Sequence, residues 1–159
     1  MSPKVRPIPE GYETPTPYLI VEGAATAIEF YKKAFGAKET MRMAGPDGKI
    51  GHADIVIGGG HIMLADASPD MGIKGPKSFG GSPVSLCVYV EDVDRVVARA
   101  VSAGAKLTRP VADQFYGDRT GGLTDPFGHS WYFMTHVEDV PEGEMQKRAA
   151  AKAEQHAKA

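Results

Sequence analysis

Hydrophobic positions along the chain change period several times, and the changes mark out its elements. Pro17 to Val21 is a short apolar run and reads as a strand. Ala24, Ala27, Ile28, Tyr31, Ala34 and Phe35 then fall at i, i+3, i+4, i+7, i+10 and i+11, one helical face that Gly36 closes as a C′ residue. Lys38 to Met43 and Lys49 to Ile57 read as two strands joined by a Pro46-Asp47-Gly48 turn. Gly58-Gly59-Gly60 turns the chain again into a strand from His61 to Asp66.

Ala67 to Pro83 breaks the pattern. It is dense in Gly, Pro, Ser and Lys and long for a connection inside a compact domain, which favours a linker between modules, with a lid as the alternative. The pattern then restarts. Val84, Leu86, Val88 and Val90 make one strand face, with Ser85, Cys87 and Tyr89 on the other. Asp92 is placed to cap a helix whose stripe is Val93, Val96, Val97, Ala100 and Val101, and Gly104 ends it. Strands follow at Lys106 to Ala112, near Arg119 to Thr124, and from His129 to Thr135. Asp125-Pro126-Phe127-Gly128 is the turn before the last of these. In that strand Trp131 and Phe133 point one way and Ser130, Tyr132 and Met134 the other, so the bulkier apolar face suits a core and the mixed face is left to line something.

The two halves repeat. Val21-Glu22 answers Val90-Glu91 at 69 residues, while Gly36-Ala37-Lys38 answers Gly104-Ala105-Lys106 and Gly60-His61 answers Gly128-His129 at 68. The expected fold is therefore α+β, two tandem βαβββ modules forming a curved, cup-like mixed sheet of eight strands with helices on the outer face. The expected boundaries are a Pro-rich arm over 1–15, modules over 16–66 and 84–136, the linker or lid loop over 67–83, and a tail over 137–159. From Pro141 on, the tail is Ala-, Lys- and Glu-rich with almost no apolar face, so it reads as a solvated helix, docked on a partner subunit or frayed.

Composition narrows the function. With 159 residues and 42% hydrophobic positions the chain supports a proper core without staples. Its 18 basic and 20 acidic residues form no basic stripe, which argues against nucleic acid. No apolar segment approaches a membrane span, and the Pro-rich start lacks a signal-peptide core. One cysteine, Cys87, allows no intrachain disulfide, and a cytoplasmic location is expected. Exposed module edges predict a homodimer.

Ala27-Ile28-Glu29-Phe30-Tyr31-Lys32-Lys33-Ala34-Phe35-Gly36-Ala37, Tyr89-Val90-Glu91-Asp92-Val93-Asp94, Asp113-Gln114-Phe115-Tyr116-Gly117-Asp118-Arg119 and Asp125-Pro126-Phe127-Gly128-His129 carry a further likeness. Through them the chain, from about Pro17 to Val140, resembles the vicinal oxygen chelate superfamily of glyoxalase I, bleomycin-resistance proteins and extradiol dioxygenases, nearest its PhnB-like branch. The resemblance implies the paired-module fold. It leaves the reaction open, because one scaffold hosts unrelated chemistries. It also implies a divalent metal held by four side chains, and the matching positions are Thr16, Met63, Ser85 and Tyr132. None is a good ligand for Zn²⁺, Ni²⁺ or Fe²⁺, and Met63 and Tyr132 stand where a glyoxalase-type carboxylate is needed. No cofactor is expected, and a metal only through a site foreign to the family. A methyltransferase activity lacks its Gly-rich cofactor loop.

His52, Asp54, Cys87, His61 and Asp66 are the candidates for such a rebuilt site, the first three as a set converging in the cup. His52 and Asp54, two apart on one strand, share a face, and Cys87 sits on the mixed face of its own. The plainer alternative is a His–Asp hydrogen bond and an inert buried thiol. His61 and His129 occupy equivalent repeat positions and read as structural; His136 and His156 read as solvated. The expected ligand pocket comprises Tyr18, His52, Asp54, Met63, Ser85, Cys87, Tyr89 and Tyr132, with Phe115 a further aromatic candidate. Two functions remain open. One is a protein of bleomycin-resistance type binding a small apolar or aromatic molecule in the cup. The other is a glyoxalase-type lyase or isomerase working through His52, Asp54 and Cys87.

Overall fold

A computed structural model gives the architecture and describes residues 5–157. The element order is β1 (Tyr18–Val21), α1 (Ala24–Phe35), β2 (Lys38–Ala44), β3 (Ile50–Ile57), β4 (Gly60–Asp66), β5 (Ser85–Tyr89), α2 (Val93–Ala103), β6 (Lys106–Asp113), β7 (Asp118–Thr124), β8 (Ser130–His136) and α3 (Glu142–Ala157), with short 3₁₀ turns at Pro69–Met71 and Pro76–Phe79. The eight strands hydrogen-bond as two mixed sheets of four, ordered β1-β4-β3-β2 and β5-β8-β7-β6. In each, the first strand runs parallel to the last and the other pairs are antiparallel. This is the tandem βαβββ arrangement that the repeat predicts.

The chain divides into two compact units, residues up to Pro83 with Phe127–His129, and Val84–Pro126 with Ser130 onward. In the first, every residue of the predicted α1 stripe is buried, and Ile28 and Tyr31 are fully buried along with Val21, Ile50, Ile55 and Leu64 of the strands. Gly36 adopts φ 70° and lets its own N–H and that of Ala37 close the helix on Lys32 O and Tyr31 O. Residues 67–83 fold with this unit: Ala67 N–H bonds Val21 O, Ser68 pairs with Ile73, and Pro76 is buried. The turn Phe127–His129 belongs here as well, its Phe127 ring 6.0 Å from both Phe30 and Tyr31 and His129 Nε2 3.0 Å from Ile20 O.

In the second unit the core holds Val93, Val97 and Ala100 of α2 and Leu123, Trp131 and Phe133 of the sheet, all buried. Asp92 caps α2 by accepting from Arg95 N–H at 2.9 Å. Val101, expected on the buried stripe, is 42% exposed, and Val84 lies outside β5 and is 67% exposed. The tail helix is tied to its own unit. Arg148 makes two 2.8 Å bonds to Glu138, a third bond to Glu144, and Lys152 lies over the Phe115 ring.

Candidate ligand site

Cross-strand register sets the site. In the first sheet Met41, Asp54, Met63 and Tyr18 stand opposite one another on β2, β3, β4 and β1. The equivalent row of the second sheet is Arg109, Gly122, Tyr132 and Cys87 on β6, β7, β8 and β5. Residues directly opposite in a ladder share a face, so each row lies on the side of its sheet that carries the mixed side chains. Five of the eight expected pocket residues lie in these two rows. The repeat made the correspondence legible; the partners of each side chain were not.

Tyr18 Oη and His52 Nδ1 are 2.8 Å apart, with their rings 5.5 Å between centroids. This pair lines a cavity of about 860 Å³ in the first unit, whose apolar wall includes Ile20, Met43, Ile50, Ala65, Met71 and Ile73. The segment 67–83 supplies Ala67, Ser68, Met71 and Ile73 to it. The volume falls within the range of roughly 300–1,000 Å³ typical of small-molecule sites, and the wall carries the Tyr18–His52 pair with Asp47, Lys49, Asp66 and Ser68 among its apolar residues.

Asp54 is only 2% exposed and looks elsewhere. Its Oδ2 accepts from the Tyr12 hydroxyl at 2.6 Å, and its Oδ1 from Thr40 and His61 Nδ1 at 2.7 Å each. The His61 ring is also stacked on Tyr12 at 4.3 Å. Burial alone would push this carboxyl up, but the hydrogen bonds from Tyr12, His61 and Thr40 outweigh it and hold the group below the ordinary aspartate value. The buried carboxylate in turn raises the Tyr12 hydroxyl. So the Pro-rich arm lies on the surface as expected and is anchored to the sheet at Tyr12. The predicted His–Asp bond exists, but His61 makes it and His52 does not. Met63, beside Asp54 in the row, accompanies Tyr18 across the β1–β4 pairing.

The second unit places the remaining candidates. Cys87 is exposed, not buried as the plainer reading has it, because its face of the edge strand β5 is uncovered. Ser85 donates to Ser130 Oγ at 3.1 Å. The Tyr89 hydroxyl donates to the buried Asp118 at 2.6 Å, and Asp118 also accepts from His136 Nδ1 at 2.8 Å. His136 Nε2 donates to Asp139 at 2.9 Å, so the ring, exposed to solvent as expected, is also clasped between two carboxylates. Those bonds, first from Asp118 and then from Asp139, raise the imidazole above its ordinary value. Phe115 faces the tail helix, and the His156 side chain lies outside the described residues.

Residues that the sequence reading missed are Tyr12, Arg109 and Gly122. Two signals were available: a lone aromatic in a Pro-rich arm, and a Gly-Gly pair inside a strand, which marks a close approach.

The superfamily metal does not fit the residues present. Thr16, Met63, Ser85 and Tyr132 offer hydroxyl, thioether and phenol groups where such ions take imidazole, thiolate or carboxylate. Among the described residues no group of three or more His, Cys, Asp or Glu side chains is placed to hold an ion.

With that geometry in place, the likeness to known proteins is informative. The profile of the Glyoxalase/Bleomycin resistance protein/Dioxygenase superfamily matches residues 15–133. The chain belongs to this superfamily. It is 46% identical over 134 residues to the uncharacterized protein Rv0887c of Mycobacterium tuberculosis, covering 82% of this chain and 79% of that one. The crystal structure of the At5g48480 gene product of Arabidopsis thaliana superposes with a TM-score of 0.64 at 31% identity, over 80% of this chain and 99% of that one. A PhnB protein from Bacillus cereus shares the fold with a TM-score of 0.62 at 22% identity, over 77% of this chain and 99% of that one.

Proposed function

We propose that the protein binds a small apolar or aromatic molecule on the mixed faces of its sheets, in the manner of a bleomycin-resistance-type member of the superfamily and without the metal quartet. The observation that carries the reading is the cavity of about 860 Å³ beside Tyr18 and His52. Apolar surface there is worth roughly 25 cal/mol for each Å² taken from water, and the Tyr18–His52 pair offers one polar handle to orient a ring. Asp54 steadies the same unit by fixing Tyr12 and His61. Of the expected pocket residues, Tyr18 and His52 line this cavity, while Cys87 and Tyr132 line a smaller one within the second unit.

The test is thermal unfolding with the neutral aromatic probe 1-naphthol. Binding to the folded state alone stabilises by about 2.7 kcal/mol at a hundredfold excess over Kd. Met43→Trp adds bulk to the cavity wall at a position that is 61% exposed, so it leaves the core intact and should abolish the shift. No shift in the parent protein, or an equal shift in the variant, would reject the reading.

A further inference from the structure

Arg109 differs from the other arginine of its sheet. It is exposed on the edge strand β6, and among the described residues its guanidinium meets no carboxylate. Its guanidinium lies over the Tyr132 ring, 5.5 Å from guanidinium carbon to centroid. The other arginines described in this unit's sheet and tail behave differently: Arg119 is paired with Asp94 and Asp113, and Arg148 with Glu138 and Glu144.

Gly122 is why Arg109 reaches the ring. It stands between Arg109 and Tyr132 in the cross-strand row, one strand from each. Neighbouring strands lie about 4.8 Å apart, so Arg109 and Tyr132 are two strand spacings apart and a side chain on the middle strand would separate them. A Cβ at 122 would meet Tyr132 Cε1 at 3.1 Å and Arg109 Cβ at 3.2 Å. With hydrogen there instead, the arginine lies across the gap onto the ring face. Stacking of this kind fixes the plane of the guanidinium and leaves its N–H edge free to bond.

That edge borders a cavity of about 230 Å³ lined by Cys87, Thr120, Tyr116 and Met134 as well as Arg109 and Tyr132. Among the described residues the Tyr116 and Thr120 hydroxyls make no hydrogen bond to the protein, so two neutral donors accompany the cation. Liquid water occupies about 30 Å³ per molecule, so the space suits a compact ligand only. The equivalent row of the first sheet has Met41, Asp54 and Met63 at the matching positions, which is the opposite polarity.

We propose that this cavity of the second unit is a binding site for a small organic carboxylate. The guanidinium edge of Arg109 takes the carboxylate as a two-point fork, Tyr116 and Thr120 donate to it, and Met134 and the Cys87 side pack the organic part. A planar fork discriminates for a planar anion, and an unpaired arginine already oriented by an aromatic ring loses little freedom on binding one. The site is lined by residues of the second unit alone and does not depend on the proposal for the cavity beside Tyr18.

Cys87, the sole cysteine, reports on occupancy. The experiment follows alkylation of Cys87 by iodoacetamide, a neutral reagent, in the full-length protein with rising benzoate. Benzoate should slow alkylation saturably, benzyl alcohol should not, and Arg109→Gln should raise the benzoate concentration for half protection by about tenfold or more. Arg109 is exposed on an edge strand, so the variant should fold, which its unchanged melting temperature would verify. Unprotected Cys87 at saturating benzoate, or protection that survives Arg109→Gln, overturns the proposal. Inorganic phosphate protecting as well as benzoate overturns the assignment to organic carboxylates. Loss of 1-naphthol binding in Met43→Trp leaves these results unaffected, so the two proposals fail separately.

Discussion

The hydroxyl of Tyr12 donates to the carboxylate of Asp54 at 2.6 Å, joining residues 42 apart in the chain. One end is in the Pro-rich arm and the other is a buried acid on β3, so the bond clamps the arm onto the sheet. Tyr12→Phe keeps the ring stacked on His61 and removes only the bond. A hydrogen bond to a charged group contributes about 1.5–3 kcal/mol, so urea unfolding near neutral pH should show a loss of that order. The pH dependence has a definite sign. The Asp54 carboxyl is lowered in the folded protein, so its contribution is present above the unfolded aspartate value and is lost as pH falls through the folded one. The gap between parent and variant should therefore narrow in acid. A gap that widens there contradicts the assignment.

Asp66 supplies a cap that Gly23 lacks. Its Oδ1 accepts from Gly23 and Ala24 N–H at 2.9 Å each, and its Oδ2 from Ile50 N–H at 2.7 Å. In the second unit Thr135 holds the same place in β8 and accepts from Val93 N–H at 3.0 Å. Asp66→Ala leaves three backbone donors unpartnered, and the loss of a cap with unsatisfied amides costs about 2–4 kcal/mol. Thr135→Val, which removes one bond to the helix and one to Val90 O, should cost less. Chemical unfolding of the two variants measures the order.

The modules were legible because repetition and helix ends are local. Val21 and Val90, Gly36 and Gly104, and Asp92 each announce a strand, a stop or a cap within a few residues. Alternation also placed Asp54 on the mixed face, yet nothing near it in sequence shows that Tyr12 and His61 would take both of its oxygens. His52 and Asp54 share a strand and still have different partners, since a partner is set by whatever crosses the sheet. Arg109 and Tyr132 meet only because Gly122, on the strand between them, has no side chain. Such a contact depends on register across three strands, which periodicity does not report. The tail helix was read as solvated from its missing apolar face. Its attachment is by Arg148 and Lys152, which an apolar stripe cannot reveal.

His136 gives a prediction of opposite sign to Asp54. Both ring nitrogens face carboxylates, a geometry that only the doubly protonated imidazolium satisfies fully. Its raised value means that its contribution is complete below the unfolded histidine value and is lost as pH rises through the folded one. NMR titration should place His136 above an ordinary histidine, and Asp139→Asn should bring its midpoint down. A midpoint unmoved by that change would assign the effect to Asp118 alone.

Each sheet ends on two edge strands, β1 and β2 or β5 and β6, whose free backbone groups are candidates for pairing. The proposed assembly is a homodimer. Light scattering at micromolar concentration should give twice the 17.0 kDa chain mass, and the chain mass alone throughout that range would contradict it.

The most direct test of the proposed function is a ¹⁵N-edited NMR titration of the full chain with 1-naphthol. Saturable shifts should gather on the backbone amides of Ile20, Met43, Ile50, His52, Ala65 and Ile73, which surround the cavity beside Tyr18. The Tyr18→Phe variant should bind with altered shifts at His52, because the pair that orients the ring is broken. Shifts that stay linear to the solubility limit of the probe, or that saturate at residues away from this cavity, would contradict the account.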